Sequence, residues 1–300
     1  MTARDEWLAE RRTGIGGSDA AAACGLHPIV SPYELWLDKT GEVVLEREDT
    51  ERMQMGRALE DAIAAVYAER FGVKLRRHNA IRRHPRYDWM LANPDRLIEG
   101  AKTGVEIKNV DALVYRFSQQ WGEENTDEIP EPYLLQCQHY CAVFGFDEWH
   151  LGALIGGNTL KRYIVRRDVE LEQMLIESEH EFWLTVKKRE PPAMDYNRPN
   201  AIRLLRQMYP GTSGETIDLP EDALHWHRVR IEAAAEAKVY EATVDGASAH
   251  LLHLMGDAAI GMLPGGGSYR RKEVKRKGYT VEPMNYIDFR FIKPKGQEDE

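Results

Sequence analysis

The stretch from Leu91 to Lys108 limits the fold more than any other part of the chain. Leu91-Ala92-Asn93-Pro94-Asp95 and Arg96-Leu97-Ile98 run into the turn residues Glu99-Gly100-Ala101-Lys102-Thr103-Gly104, and Val105-Glu106-Ile107-Lys108 follows. Alternation of apolar and charged residues in the last four is the period of a strand with one buried face. Val105 and Ile107 take the core side, leaving Glu106 and Lys108 together on the other. If residues 99–104 form the connection, Ile98 pairs with Val105, Leu97 pairs with Glu106, and Asp95 joins Glu106 and Lys108 on one face. Opposed side chains lie about 4.5–5.5 Å apart and diagonal ones about 7–8 Å, so one hard cation can draw both carboxylates together. A slip by one residue would separate them.

Helical patterns surround this hairpin. Asp5–Arg12 reads as a short helix, and Ser18 or Asp19 caps an alanine-rich one. Ser31-Pro32 opens a helix through Lys39; another spans Gln54–Phe71, with Leu59, Ile63, Val66 and Tyr67 on one face and Gly56, Glu60 and Ala64 beside it. Tyr87–Ala92 reads as a strand. After Pro130 and Pro132 comes a helix carrying Tyr133, Gln136, Cys137, Tyr140 and Phe144. Trp149–Ile155 and Leu160–Val165 flank Gly156-Gly157-Asn158 as a hairpin, and Asp168–Arg189 is a long helix, acidic early and basic late. Strands with helices before, between and after them imply an α/β (α+β) fold, a mixed central sheet flanked by helices.

Pro191-Pro192 stops the helical pattern and suggests a division into residues 1–193 and an appendage of residues 194–300. In the appendage a helical stretch opens at Leu219-Pro220 and runs to about Gly256, with Gly246 a candidate break. A small β element follows: a charged segment after Pro264-Gly-Gly-Gly267 and the alternating Tyr286–Ile292.

The net charge of −9 is unusual for a protein that meets phosphates, but the distribution is uneven. Arg70, Lys74, Arg76, Arg77, Arg82, Arg83 and Arg86 follow one another with no carboxylate until Asp88, and Tyr269–Lys277 is a second basic run. Cys24, Cys137 and Cys141 form no CxxC and read as reduced core residues. No apolar run spans a bilayer, and the charged opening MTARDEWLAERR is unlike a secretory signal, so a cytoplasmic location is expected.

Asp95, Glu106 and Lys108 suit phosphodiester hydrolysis. Carboxylate oxygens favour Mg²⁺ or Mn²⁺, one ion or two, and a lysine beside them can orient or deprotonate water and balance the extra negative charge of the transition state. Alone the spacing is loose. Its setting is specific: Arg12-Thr-Gly-Ile-Gly-Gly-Ser18-Asp19-Ala20-Ala21, Ser31-Pro-Tyr-Glu-Leu-Trp36, Gly56-Arg-Ala-Leu-Glu60, Leu91-Ala-Asn-Pro-Asp95, Val105-Glu-Ile-Lys108 and Tyr133-Leu-Leu-Gln136-Cys-Gln138 occur in order. In these motifs the chain resembles the YqaJ-type viral recombination nucleases, relatives of phage lambda exonuclease in the PD-(D/E)xK superfamily, over residues 4–190.

The resemblance implies a restriction-endonuclease-like core and a metal-dependent exonuclease. Asp95, Glu106 and the backbone carbonyl of Ile107 would hold metal; Lys108 would be catalytic; Glu60 would support a second metal or its water; Gln136 would hold the water or the lysine. Arg11, Ser18 and Asn93 fall at positions that surround a 5′ phosphate in the lambda-type enzyme, although Asn93 departs from the serine there and Arg12 could take the place of Arg11. Ser18 near a helix N-terminus favours an anion. Trp7 either stacks on a base or staples the first helix.

The expected substrate is a double-stranded DNA end, resected 5′ to 3′ for a single-strand annealing protein, with a trimeric ring of identical chains by analogy. A structure-specific endonuclease with the same site is the second reading, separated from the first by cleavage of covalently closed duplex. An inactive DNA-binding or partner-binding descendant is the third, and the intact Asp95, Glu106 and Lys108 argue against it. An iron–sulfur cluster held by four thiolates is excluded by the three cysteines.

Overall fold

The structure is a computed structural model that describes residues 3–43 and 49–275. Its contacts divide into two compact units, Met1–Pro210 and Gly211–Glu300. In the first, α1 (Ala3–Arg11), β1 (Ile15–Gly16), α2 (Gly17–Ala23), α3 (Pro32–Thr40) and α4 (Glu51–Phe71) precede the short strands β2 (Leu75–Arg76), β3 (Arg82–Arg83), β4 (Met90–Ala92) and β5 (Arg96–Ile98). Then come β6 (Gly104–Val110), α5 (Ala112–Ser118), α6 (Glu131–Phe144), β7 (Glu148–Ile155), β8 (Thr159–Arg166), α7 (Val169–Lys188) and α8 (Ala201–Met208). The unit continues past Pro191-Pro192, because Ala201 and Leu204 of α8 are buried and Leu204 belongs to the main core.

A mixed five-stranded sheet has the order β2-β5-β6-β7-β8, parallel only between β6 and β7. A three-stranded sheet has the order β1-β4-β3. On one side of β6, Val105 and Ile107 pack with Ile63, Ala64 and Tyr67 of α4. The larger core on the other side gathers Trp149, Leu151 and Tyr163 with Cys137, Tyr140 and Cys141 of α6. All three cysteines are free, and burial pushes the Cys24 and Cys141 thiols up to about 12.

Several local expectations differ from the structure for identifiable reasons. The β5–β6 hairpin pairs Arg96 with Val105 and Leu97 with Gly104, two residues from the expected register. Gly100 adopts φ +77°, and Ile98 N–H donates to the Thr103 carbonyl at 3.1 Å, which closes the turn over residues 99–102. A shift of two conserves the faces, so Asp95, Glu106 and Lys108 remain on one side, with Asp95 now across from Glu106. The cap of α2 is Gly16; Asp19 sits at the third helical position and accepts from Gly16 N–H at 3.1 Å. Val66 is exposed. The expected Tyr87 strand begins only at Met90, because Met90 N–H donates to the Tyr87 carbonyl and forms a turn.

In the second unit α9 (Asp222–Met255) passes unbroken through Gly246 and ends at Gly256, followed by the antiparallel pair β9 (Ile260–Met262) and β10 (Ser268–Arg270). No residue of α9 is buried. The expected strand Tyr286–Ile292 lies outside the described residues, as does the end of the basic run after Lys275. No helix among the described residues is long and apolar enough to cross a membrane.

Candidate active site

A cleft in the first unit collects side chains from six elements. β6 supplies Glu106 and Lys108, the β4–β5 connection Asn93 and Asp95, α4 Glu60, α6 Gln136 and Tyr140, α1 Arg11, and α2 Ser18. Eight of the nine residues assigned to the site from the sequence by their side chains therefore line one space, and Trp7 and Tyr140 line it with them. Arg12 does not: it is exposed and faces Asp38 at 3.6 Å. Ile107 is not among the lining residues; its N–H, rather than the carbonyl expected as a ligand, contacts the cluster by donating to Asp95 Oδ2 at 2.7 Å.

Glu106 is the centre of the cluster and is only 4% exposed. Its Oε1 accepts from Lys108 Nζ at 2.6 Å and from Gln136 Nε2 at 2.7 Å. Gln136 also donates to the Tyr140 hydroxyl at 3.0 Å, a contact between residues one helical turn apart on α6. Glu106 Oε2 is buried and has no hydrogen-bond partner among the described residues. Burial, then repulsion from Glu106, pushes Asp95 up to about 8, against the opposing pull of Lys108 and of Ile107 N–H. Burial alone would lower the Lys108 pKa, but Glu106 and Asp95 outweigh it and hold it above the usual lysine range.

An orphaned carboxylate oxygen and an Asp that resists ionising both describe a site short of positive charge, with oxygen donors suited to a hard divalent cation. Among the described residues, no three His, Cys, Asp or Glu side chains enclose a metal by themselves. Each carboxylate also accepts from a protein donor: Asp95 from Ile107 N–H, Glu106 from Lys108 and Gln136, and Glu60 from Arg96 Nη1 at 2.7 Å. Two facing carboxylates with a third at the rim fit a cation that completes its shell with backbone oxygen and water.

Arg96 was not legible from sequence. It is 5% exposed, yet its guanidinium reaches Glu60, the Asp95 carbonyl at 2.5 Å and Asp61, which in turn holds Arg77. At the other end of the cleft Arg11 Nη2 donates to Ser18 Oγ at 2.7 Å and to Asp19 Oδ1 at 3.3 Å, and its guanidinium lies over the Trp7 ring at 4.9 Å. Asp19 accepts from the buried Lys39 at 2.7 Å. Although burial raises the Asp19 pKa, Lys39 and Arg11 hold it well below the usual carboxylate range. Gly17 lets α2 approach α6, since a Cβ there would lie 2.5 Å from the Tyr140 ring. Behind the cleft, fully buried His139 joins Glu179 at 2.8 Å and the Leu91 carbonyl at 2.8 Å, which ties α6 and α7 to β4. The spacing of Gln136 and Tyr140 could have signalled their contact; the partners of Lys39, Arg96 and His139 are too distant in sequence to leave one.

The fold, a mixed sheet flanked by helices, matches that of solved structures. An alkaline exonuclease from Laribacter hongkongensis superposes with a TM-score of 0.51 at 19% identity, over 67% of this chain and 99% of that one; its complex with dAMP matches equally. Residues 6–147 match the YqaJ-like viral recombinase domain. The uncharacterized protein YqaJ of Bacillus subtilis strain 168 is 42% identical over 220 residues, 72% of this chain and 67% of that protein. The chain belongs to the YqaJ-like viral recombinase family.

Proposed function

We propose that the chain is a divalent-metal-dependent deoxyribonuclease that removes nucleotides from duplex DNA ends, 5′ to 3′, leaving a 3′ single strand for recombination. The observation that carries this reading is the convergence of Lys108 Nζ and Gln136 Nε2 on Glu106 Oε1, with Asp95 in the same cleft as Arg11 and Ser18. The Laribacter hongkongensis alkaline exonuclease was solved with dAMP, a deoxynucleoside monophosphate, which is the kind of product that stepwise removal of nucleotides yields.

Asp95, Glu106 and the Ile107 carbonyl would hold Mg²⁺, with Mn²⁺ able to substitute, and Glu60 would serve a second ion or its water. Bound there, the metal supplies Lewis-acid polarisation of the phosphate and a more acidic water. Lys108, kept cationic by its two carboxylate neighbours, orients the attacking water and balances charge as the phosphate gains it. Gln136 fixes Glu106 and Lys108 relative to one another, and the Tyr140 hydroxyl fixes Gln136. The Arg11 guanidinium and the Ser18 hydroxyl bind the terminal 5′ phosphate, with Asn93 lining the same cleft.

A single-strand annealing protein takes the product strand, and a ring of identical subunits, three by analogy with the lambda-type enzyme, keeps the enzyme on its substrate. The distinguishing experiment is digestion of linear and covalently closed duplex with Mg²⁺. Linear DNA should release mononucleotides from its 5′ ends and be left as 3′ single strands, and closed DNA should stay intact, with chelator stopping the reaction. Nicking of closed DNA at comparable rate would overturn the exonuclease reading.

A further inference from the structure

A second depression, of about 350 Å³, lies at the C-terminal end of α6 and shares no lining residue with the cleft. Arg82 and the turn Pro85-Arg86-Tyr87 form one wall, and Phe144, Arg167 and Glu172 form another. Arg167 and Glu172 neutralise each other through two hydrogen bonds of 2.7 and 2.6 Å. Arg82 and Arg86 have no carboxylate partner among the described residues. The Arg82 guanidinium lies 4.7 Å from the Phe144 ring centroid, and that of Arg86 lies 5.2 Å from Tyr87 while donating to its hydroxyl at 2.6 Å. Tyr87 stacks on His84 at 4.8 Å. The depression therefore carries two uncompensated guanidiniums and a half-buried aromatic pair, in a chain whose net charge is −9.

Other members of the same basic run are engaged: Arg70 pairs with Glu124, and Arg77 pairs with Asp61. Arg82 and Arg86 are exposed and free to meet an anion. Planar guanidiniums held in place against aromatic rings, with their charge left for an anion, are suited to tracking a phosphodiester backbone. The depression adjoins the cleft through consecutive residues, because Ile81 lines the cleft and Arg82 lines the depression. Arg82 begins β3, an edge strand that among the described residues pairs with β4 alone. A duplex, with a persistence length of about 150 base pairs, does not fold over such an edge; a single strand does.

We infer that this depression is a binding site for single-stranded DNA, holding through Arg82 and Arg86 a strand that leaves the cleft. The inference rests on the proposed reading of the cleft as a DNA site. The test uses Lys108→Ala protein, so that bound DNA is not consumed, and compares fluorescein-labelled blunt duplex with the same duplex carrying a 20-nucleotide oligo(dT) tail. Arg82→Gln/Arg86→Gln should weaken binding of the tailed duplex about tenfold. It should also reduce the salt dependence, the slope of log K against log salt, by about 1.4, two phosphate contacts at about 0.7 each for a single strand. Blunt duplex should bind unchanged. Arg82→Lys/Arg86→Lys, which retains both charges, should keep the slope. If the double glutamine variant is poorly folded, Arg86→Gln alone should reduce the slope by about 0.7.

An unchanged slope on tailed duplex overturns the inference, as does equal loss on blunt duplex. Loss of binding to a polyglutamate peptide with tailed DNA unaffected also overturns it, by assigning the depression to an acidic protein. Cleavage that persists in Lys108→Ala would instead sink the reading of the cleft, a failure visible separately from the binding slope.

Discussion

Replacing Asp19 by Asn isolates the electrostatic support of the Arg11 end of the cleft. Asp19 accepts from Lys39 at 2.7 Å, from Arg11 at 3.3 Å and from Gly16 N–H at 3.1 Å, and the Lys39 side chain is only 2% exposed. With its carbonyl oxygen in the place of Oδ2, Asn still accepts from Gly16 and Lys39, but its NH2 then faces the Arg11 guanidinium. Lys39 is left as a buried cation with no anionic partner, holding only neutral oxygens, the amide and the Arg11 carbonyl at 3.0 Å. Breaking a buried pair in this way costs about 3–5 kcal/mol, and the surviving carbonyl contact places the loss near the lower end, about 3 kcal/mol. The Asp19 pKa is depressed in the folded state, so its contribution is complete well above pH 4 and is lost as pH falls from there toward the folded value. The assay is guanidinium unfolding followed by the fluorescence of Trp36, Trp89 and Trp149 at pH 7. Asp19→Asn should lower the unfolding free energy by about 3 kcal/mol, and Asp19→Asn/Lys39→Met, which removes the stranded charge, should recover at least about 2 kcal/mol of it. A single variant within about 1 kcal/mol of the parent, or a double variant as unstable as the sum of the singles, would refute the reasoning.

Three further outcomes follow from the same geometry. Gly17→Ala should drive its Cβ into the Tyr140 ring, costing about 1–3 kcal/mol and lowering kcat by loosening Gln136, as measured by thermal melting and steady-state cleavage; an unaltered kcat would separate Tyr140 from the site. His139→Leu strands the fully buried Glu179 and should destabilise the first unit by about 3–5 kcal/mol, with amide exchange at Met90 and Leu91 accelerated first; a neutral substitution would mean that the pair contributes nothing. Arg11→Ala removes a charge-assisted contact of about 1.5–3 kcal/mol, so the preference in kcat/KM for 5′-phosphorylated over 5′-hydroxyl ends should fall by about 10- to 100-fold, and an unchanged ratio would remove Arg11 from phosphate recognition.

Much of the fold was legible because local signals agreed with long-range packing. Ser31 caps α3 ahead of Pro32, Asp168 caps α7, and Gly156-Gly157 turns β7 into β8, all from residues whose preferences act over a few positions. The residues of the cleft floor were legible for a similar reason: alternation along β6 fixed their face, and the two-residue error in register left that face unchanged. What could not be read depends on contacts across the chain. Lys39 meets Asp19 from another helix, Arg96 is buried because Glu60 and Asp61 of α4 receive it, and His139 is explained only by Glu179 and Leu91. Gly246 misled because a single glycine costs a helix about 1 kcal/mol and a 34-residue helix absorbs it.

The most direct measurement of the central claim compares Lys108→Ala with the parent protein on linear duplex in Mg²⁺, recording nucleotide release and DNA binding together. Loss of a cation that orients water and stabilises the transition state should lower cleavage by at least about a hundredfold. Binding should remain within a few fold, because the charge of Lys108 is already balanced by Glu106 and Asp95 before DNA arrives. Cleavage at the parent rate by a folded Lys108→Ala protein would contradict the account.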